Sequence, residues 1–226
     1  MASLDTSHHN NIDALIFFIE GIIGAGKTTL IQSLDLDNFQ KIQEYKNFAL
    51  GHQNFPKFPY KSREEALASI DFFIDLETKR RESRGENKNA IFDRSLLSCF
   101  AFSYATRAFP FVEHNIYKET IQKFTKLYKR KKFALPNACF YLNIDHNTSI
   151  TRAKKRGTYT GDYFSDPNFN AQLLSYYDKF ALQSPYFKKI DGTLPPTIVH
   201  DLIFDEIKKI TSNDLIDVFG IADTID

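Results

Sequence analysis

Apolar residues fall along this chain in short solid runs separated by longer amphipathic stretches. Leu15-Ile16-Phe17-Phe18-Ile19 is unbroken over five residues, short and rich in β-formers, as a strand buried on both faces should be. Phe39 to Gln43 reads as a weaker second strand ending at Glu44-Tyr45, and Ala90-Ile91-Phe92 as a third closing on Asp93-Arg94-Ser95. Ala138 to Ile144 is the clearest strand after the first, and Thr197 to His200 reads as the last. Helical periodicity fills the intervals. Leu30, Ile31 and Leu34 share one face, and Ser62 to about Arg84 carries Leu67, Ile70, Phe73, Ile74 and Glu77 in step. Ser62-x-x-Glu65 is a capping box at the start of that long helix. Two helices broken near Phe109-Pro110 fit 96–132, another runs from Thr148 to Arg156, another from Asn168 to about Lys189, and a last one covers 201–211. Strands separated by helices predict the α/β class: a parallel sheet of about five strands, flanked by helices through right-handed crossovers. No repeat or linker divides the pattern, so the chain is read as one domain over 12–226 behind a polar, disordered N-terminal tail over 1–11.

Composition narrows this picture. At 226 residues and 42% hydrophobic content, the chain can bury one substantial core. A net charge of +1 gives no bulk field for nucleic acid or a membrane surface, and neither is expected as a partner. No apolar run approaches 18 residues, so nothing is expected to span a bilayer. Cys99 and Cys139 lie far apart without metal-ligand spacing and are read as reduced core residues of a cytoplasmic protein.

Chemistry enters at the end of the first strand. Gly21-Ile22-Ile23-Gly24-Ala25-Gly26-Lys27-Thr28 is a complete G-x-x-x-x-G-K-[ST] phosphate-binding loop, and Thr29 begins the helix that follows. Its glycines let backbone N–H groups turn inward onto phosphate oxygens, and the helix N-terminus adds its dipole. Lys27 is expected on the β- and γ-phosphates of ATP, and the Thr28 hydroxyl on Mg²⁺.

In a doubly wound sheet, ligands sit at the carboxyl ends of the strands. Glu44, Asp93 and Arg94 each follow a strand, so the fold should gather them with Lys27 and Thr28 around one crevice. Phosphoryl transfer needs such a set: a cation cradle, an acid on the Mg²⁺ shell, a carboxylate near the acceptor hydroxyl, and an arginine for developing charge. Arg152 and Arg156 stand four apart and share a helix face. From there they could clamp the γ-phosphate in cis, with Gly157 ending the helix and a lid over about 152–167 excluding water. Phe48, Phe55, Phe58, Tyr60, Phe72 and Phe73 are candidates to line an acceptor pocket, although at 15% aromatic content core packing accounts for most of them.

Ile19-Glu20-Gly21 through Leu30, Glu44, Asp93-Arg94-Ser95, the Tyr141-Leu142 strand and Arg152 to Gly157 occur in the order of the deoxynucleoside kinase and thymidylate kinase superfamily, which the chain resembles over about residues 14–212. The resemblance implies a P-loop kinase fold. It also implies Glu44 as general base for an acceptor 5′-hydroxyl, Asp93 near Mg²⁺, Arg94 near the phosphates, and Arg152 and Arg156 on the transferring group. The nucleoside branch fits better than the thymidylate branch. Ile23 stands where thymidylate kinases carry an acid in the loop, and Gln43 where they carry an arginine before the Glu. Three departures stand out. Tyr45 replaces the usual proline after the Glu, Thr158 an arginine frequent after the lid glycine, and the helix over 62–84 offers Phe72, Phe73, Asp75 and Glu77 but no glutamine to hold a base.

The reading that follows is an ATP-dependent kinase using Mg-ATP on the 5′-hydroxyl of a (deoxy)nucleoside. A nucleoside monophosphate kinase or a kinase of a non-nucleoside metabolite is the alternative, and a P-loop switch that hydrolyses slowly a lesser one. Lid arginines in cis argue against the switch, as does the lack of an N-K-x-D guanine signature. The expected partner is a small-molecule phosphate acceptor, a nucleoside or nucleotide. A homodimer is kept open.

Overall fold

The computed structural model describes residues 14–85, 88–109, 116–157 and 163–225. The tail expected over 1–11 and residues 158–162 of the expected lid lie outside the described residues.

The elements in chain order are β1 (Ile16–Glu20), α1 (Lys27–Ser33), β2 (Phe39–Ile42), α2 (Tyr45–Phe48), α3 (Arg63–Ser83), β3 (Asn89–Asp93), α4 (Leu96–Ala105), α5 (Tyr117–Lys131), β4 (Ala138–Asn143), α6 (His146–Lys155), α7 (Pro167–Ala181), β5 (Phe187–Asp191), α8 (Pro196–Ile207) and α9 (Val218–Asp223). The five strands form one sheet in the order β2-β3-β1-β4-β5, and every pair is parallel. Every residue of β1 is buried, so both faces of the sheet centre are covered, as its solid apolar run requires. Phe17 stacks on Phe39 and meets Phe140 edge-on, which ties three strands through one ring. The helix α4 packs against both α5 and α7, and α1 packs against α8.

Helix starts follow their caps. Ser62 accepts from Glu65 N at 3.2 Å, while the Glu65 carboxylate reaches Lys61 N rather than Ser62 N. Only the serine half of the expected box is formed, therefore. Ser95, Asp145 and Asp166 cap α4, α6 and α7 in the same way.

The last third of the pattern was misread. The stretch over 168–189 is not one helix, because α7 stops at Ala181 and β5 begins at Phe187. Ser184-Pro185 breaks the helix, and in β5 only Phe187 is buried, half-buried and exposed positions following in turn because it is the sheet edge. Thr197 to His200 is not the fifth strand; it lies in α8, whose first turn is opened by Pro195-Pro196. A further helix, α9, follows where none was expected. It packs Phe219 on Phe100 and Tyr128, and the Ala222 carbonyl accepts from the Tyr117 hydroxyl at 2.8 Å.

Candidate active site

The loop between β1 and α1 is shaped by three glycines with positive φ: Gly21 at 142°, Gly24 at 79° and Gly26 at 99°. Two of them are also close-approach positions. A Cβ on Gly21 would sit 2.6 Å from the Leu142 carbonyl oxygen, and one on Gly24 3.1 Å from that of Ser149. The loop is thus pressed against β4 and α6. Ser149 Oγ donates to Ile23 O at 2.6 Å and fixes that contact.

Lys27 curls over the loop, its Nζ donating to Gly21 O at 2.9 Å and Ile22 O at 3.0 Å. Burial, with the Arg94 charge beside it, lowers its ammonium to about 7 against the pull of Asp93, Glu44 and Glu20. Thr28 Oγ1 donates to Asp93 Oδ2 at 2.6 Å. The other carboxylate oxygen, Asp93 Oδ1, is buried without a hydrogen-bond partner. A hydroxyl and a half-satisfied carboxylate fit Mg²⁺, which takes one or two protein oxygens and completes its shell with phosphates and water.

Glu44 caps the short α2 positionally, and its carboxylate pairs with Lys46 on one oxygen and with Arg94 Nε at 3.3 Å on the other. Burial alone would raise its pKa. The Arg94 and Lys46 charges outweigh that and hold it at about 2. Arg94 also reaches Gly21 O at 3.2 Å, so the acid, the arginine and the loop meet at the ends of β2, β3 and β1. On the other side, Arg152 donates to Gly24 O at 3.2 Å and to Gly192 O at 3.0 Å, and Arg156 Nη2 lies 3.5 Å from the same Gly24 oxygen. The two lid arginines converge on one loop carbonyl. All six chemistry-bearing side chains expected from the sequence therefore border one crevice.

The expected aromatic lining divides. Phe48, Phe55, Phe72 and Phe73 cluster with Tyr45 beside Glu44. Phe58 and Tyr60 belong elsewhere, since Phe58 packs on Phe102, Tyr163 and Phe169. Glu77 is no acceptor-side acid either. It is fully buried and accepts from Tyr45, Arg80, Arg81 and Tyr128. Its pKa is raised by burial but lowered overall by Arg81 and Arg80.

Glu20 was quoted only as part of a motif, yet it is a site residue by geometry. It is fully buried, accepting from Ser95 Oγ at 2.5 Å, Ser98 Oγ at 2.6 Å and Tyr177 OH at 3.0 Å, with burial raising its pKa. An acid ending an apolar strand just before the glycine loop was the signal available.

A parallel sheet in this strand order, with a glycine loop on its central strand and an acid–arginine turn on the neighbouring one, defines a P-loop kinase. The deoxynucleoside kinase family model matches residues 17–209, and the chain belongs to that family. It is an ATP-dependent phosphotransferase of the nucleoside kinase type. No curated protein matches it in sequence. Among solved structures, deoxyadenosine kinase from M. mycoides with bound dATP superimposes with a TM-score of 0.62 at 19% identity, over 86% of this chain and 100% of that one. The same enzyme with the products dCMP and a flexible dCDP gives 0.63 at 18% identity, over 87% and 100%. With bound dCTP it gives 0.62 at 20% identity, over 87% and 100%. At these identities the likeness establishes the fold.

Proposed function

We propose that the chain, folded as one kinase domain over 12–226, transfers the γ-phosphoryl group of ATP to the 5′-hydroxyl of a deoxynucleoside. The observation that supports this reading is the Glu44–Arg94 pair, 3.3 Å apart, whose arginine also reaches Gly21 O of the phosphate loop, so that a carboxylate and a guanidinium stand together beside the phosphate site. Lys27 and the loop amides hold the β- and γ-phosphates. The Thr28 hydroxyl and Asp93 hold Mg²⁺, which supplies charge neutralisation across the phosphates. Glu44 orients the acceptor hydroxyl and takes its proton as the new P–O bond forms. Arg94, Arg152 and Arg156 hold the oxygens of the transferring group while the bond to the β-phosphate breaks and ADP leaves. Residues 152–167 act as the lid. The reading includes a cytoplasmic location, and a homodimer is kept open within it; among the described residues no helix is long and apolar enough to cross a membrane.

In this reading the aromatic cluster beside Glu44 forms the base side of the acceptor site. Phe55, Phe72 and Phe73 meet edge-on, with no amide among them. Stacking therefore contributes more to acceptor binding than hydrogen bonds to a base edge. The M. mycoides enzyme is named for deoxyadenosine and was solved with both purine and pyrimidine deoxynucleotides, so the assay panel begins with deoxyadenosine and deoxycytidine. Each nucleoside and nucleoside 5′-monophosphate is incubated with Mg-ATP, and ADP release and products are followed. The expected product is a deoxynucleoside 5′-monophosphate. Turnover of monophosphates with refusal of every nucleoside would replace this reading with a nucleotide kinase.

A further inference from the structure

Beneath the crevice, α3 sends up one fully buried cation. Arg80 Nε donates to the carbonyl of Gln43 at 2.9 Å, and its Nη2 donates to the carbonyls of Asp93 at 2.9 Å and Arg94 at 2.7 Å. The remaining nitrogen, Nη1, pairs with Glu77 Oε2 at 2.9 Å, and the guanidinium lies over the Tyr45 ring, 4.1 Å from its centre. Two of the three carbonyls belong to Asp93 and Arg94 themselves, and the third to the residue just before Glu44.

We propose that Arg80 is a positioning residue for phosphoryl transfer, setting the separation of Glu44 from the Asp93-Arg94 turn through the backbone that carries them. The inference rests on the roles proposed above for those three residues.

Three features support it. Arg80 grips main-chain carbonyls rather than side chains, so it ties the end of β2 to the end of β3, and a planar fork does this with less freedom than a flexible point charge. Arg94 has φ at 63°, a left-handed conformation uncommon outside glycine. Such a residue persists where its surroundings over-determine it. Here Arg80 Nη2 holds the carbonyls on both sides of it, and Arg94 N donates to Ile19 O at 3.0 Å. Finally, the cation is itself held. Glu77 is saturated by Arg80, Arg81, Tyr45 and Tyr128, which leaves Arg80 one orientation.

Arg81 supplies the matched control. It shares Glu77, bonding Oε1 at 2.9 Å, and lies over the Phe92 and Phe18 rings, but its other hydrogen bonds go to the Tyr128 hydroxyl at 2.5 Å and Ala134 O at 3.4 Å, and it bonds no carbonyl of Gln43, Asp93 or Arg94. Arg80→Gln and Arg81→Gln each leave one guanidinium facing one buried carboxylate, so both disturb the network to a similar degree. Only the first removes the carbonyl clamp.

The test measures kcat and the KM for ATP with the best nucleoside of the panel, alongside thermal unfolding, for wild type, Arg80→Gln, Arg80→Lys and Arg81→Gln. Arg80→Gln should lose on the order of 10²-fold in kcat, the loss typical of displaced reacting groups. Its KM for ATP should stay within about threefold, since the phosphate loop is not gripped by Arg80. Arg80→Lys should recover part of kcat, and Arg81→Gln should keep nearly all of it at a similar loss of melting temperature. Equal kcat losses in the two glutamine variants would overturn the proposal. So would failure of both Arg80 variants to fold while Arg81→Gln folds, because Arg80 would then be structural. A wild-type enzyme inactive on every nucleoside would instead overturn the proposed acceptor, which separates the two failures.

Discussion

Lys27 and Glu44 occupy opposite electrostatic situations a few residues apart in space, and each situation carries its own consequence. The ammonium of Lys27 is buried against loop carbonyls, with Arg94 nearby, and titrates at about 7. A bound triphosphate favours the charged form. Binding above pH 7 must therefore take up a proton, and affinity should be full below pH 7 and fall as pH rises beyond it, by up to about tenfold per unit. Calorimetry at pH 8 in buffers of different ionisation heat should show that uptake in wild type and its absence in Lys27→Ala. The same variant should keep its fold and lose at least about 10²–10³-fold in kcat, because it removes a charge aimed at the transferring phosphate. Glu44 is the reverse case: Arg94 and Lys46 overcome burial and hold it at about 2, below its ordinary 4.5. Its contribution to stability is present above pH 4.5 and is lost as pH falls toward 2. Glu44→Gln keeps the shape but cannot take a proton, so kcat should drop by about 10²–10⁴-fold with little change in ATP affinity. Equal rates across pH for Glu44→Gln and wild type would remove the carboxylate from proton transfer.

At the scale of elements, the site depends on how closely loop and strand approach. Gly21 is the tightest point, where an added Cβ would lie 2.6 Å from a β4 carbonyl oxygen and 3.1 Å from the Ala25 side chain. Gly21→Ala must push the loop off β4 as well as strain its backbone, a cost of roughly 1–3 kcal/mol or more. Melting temperature and triphosphate affinity should fall together; an unchanged affinity would mean that the loop tolerates the shift. The loop was legible in the sequence, because glycine spacing, the apolar run before it and the helical period after it all agree, while its approach to β4 appears only in the fold. The first four strands were legible for the same reason, and so was the placing of each expected acid or arginine directly after a strand or on one helix face. The fifth strand was not. Phe187 to Asp191 is an edge strand whose Phe-Lys-Lys-Ile-Asp sequence has no clean alternation, and it is too short to outweigh a helical reading that ran on from α7. Arg80 was hidden differently. Charged residues near a helix end read as a solvated face, and only the tertiary fold turns this one beneath β2 and β3. Glu77 in step with Ile70, Phe73 and Ile74 was the trace of it, since an acid on the apolar face needs buried cations.

Across the whole molecule, the phosphate side and the acceptor side are joined by more than the sheet. Arg152 and Arg156 reach over Gly24, while Tyr163 and Phe164, toward the far end of the proposed lid, pack against Phe102 and Phe169. Phe58, from the loop between α2 and α3 that leads away from Glu44, meets Tyr163 edge-on at 5.0 Å. On the proposed reading, an acceptor that displaces that loop should be felt at the lid's far end, and ATP that displaces the arginines at its near end. Closure should need both ligands. Hydrogen exchange at 152–157 and 163–170 should show partial protection with ATP and full protection only with ATP and a nucleoside together. Phe58→Ala should weaken the response to nucleoside and leave the response to ATP intact. Arg156→Ala should lose about 10³-fold or more in rate, as for an arginine finger supplied in cis, with a much smaller loss of ATP binding. Full protection with ATP alone, unchanged by any nucleoside, would favour a nucleotide switch. Arg152 and Arg156 would then be the basic end of α6, complementing its dipole and nothing more.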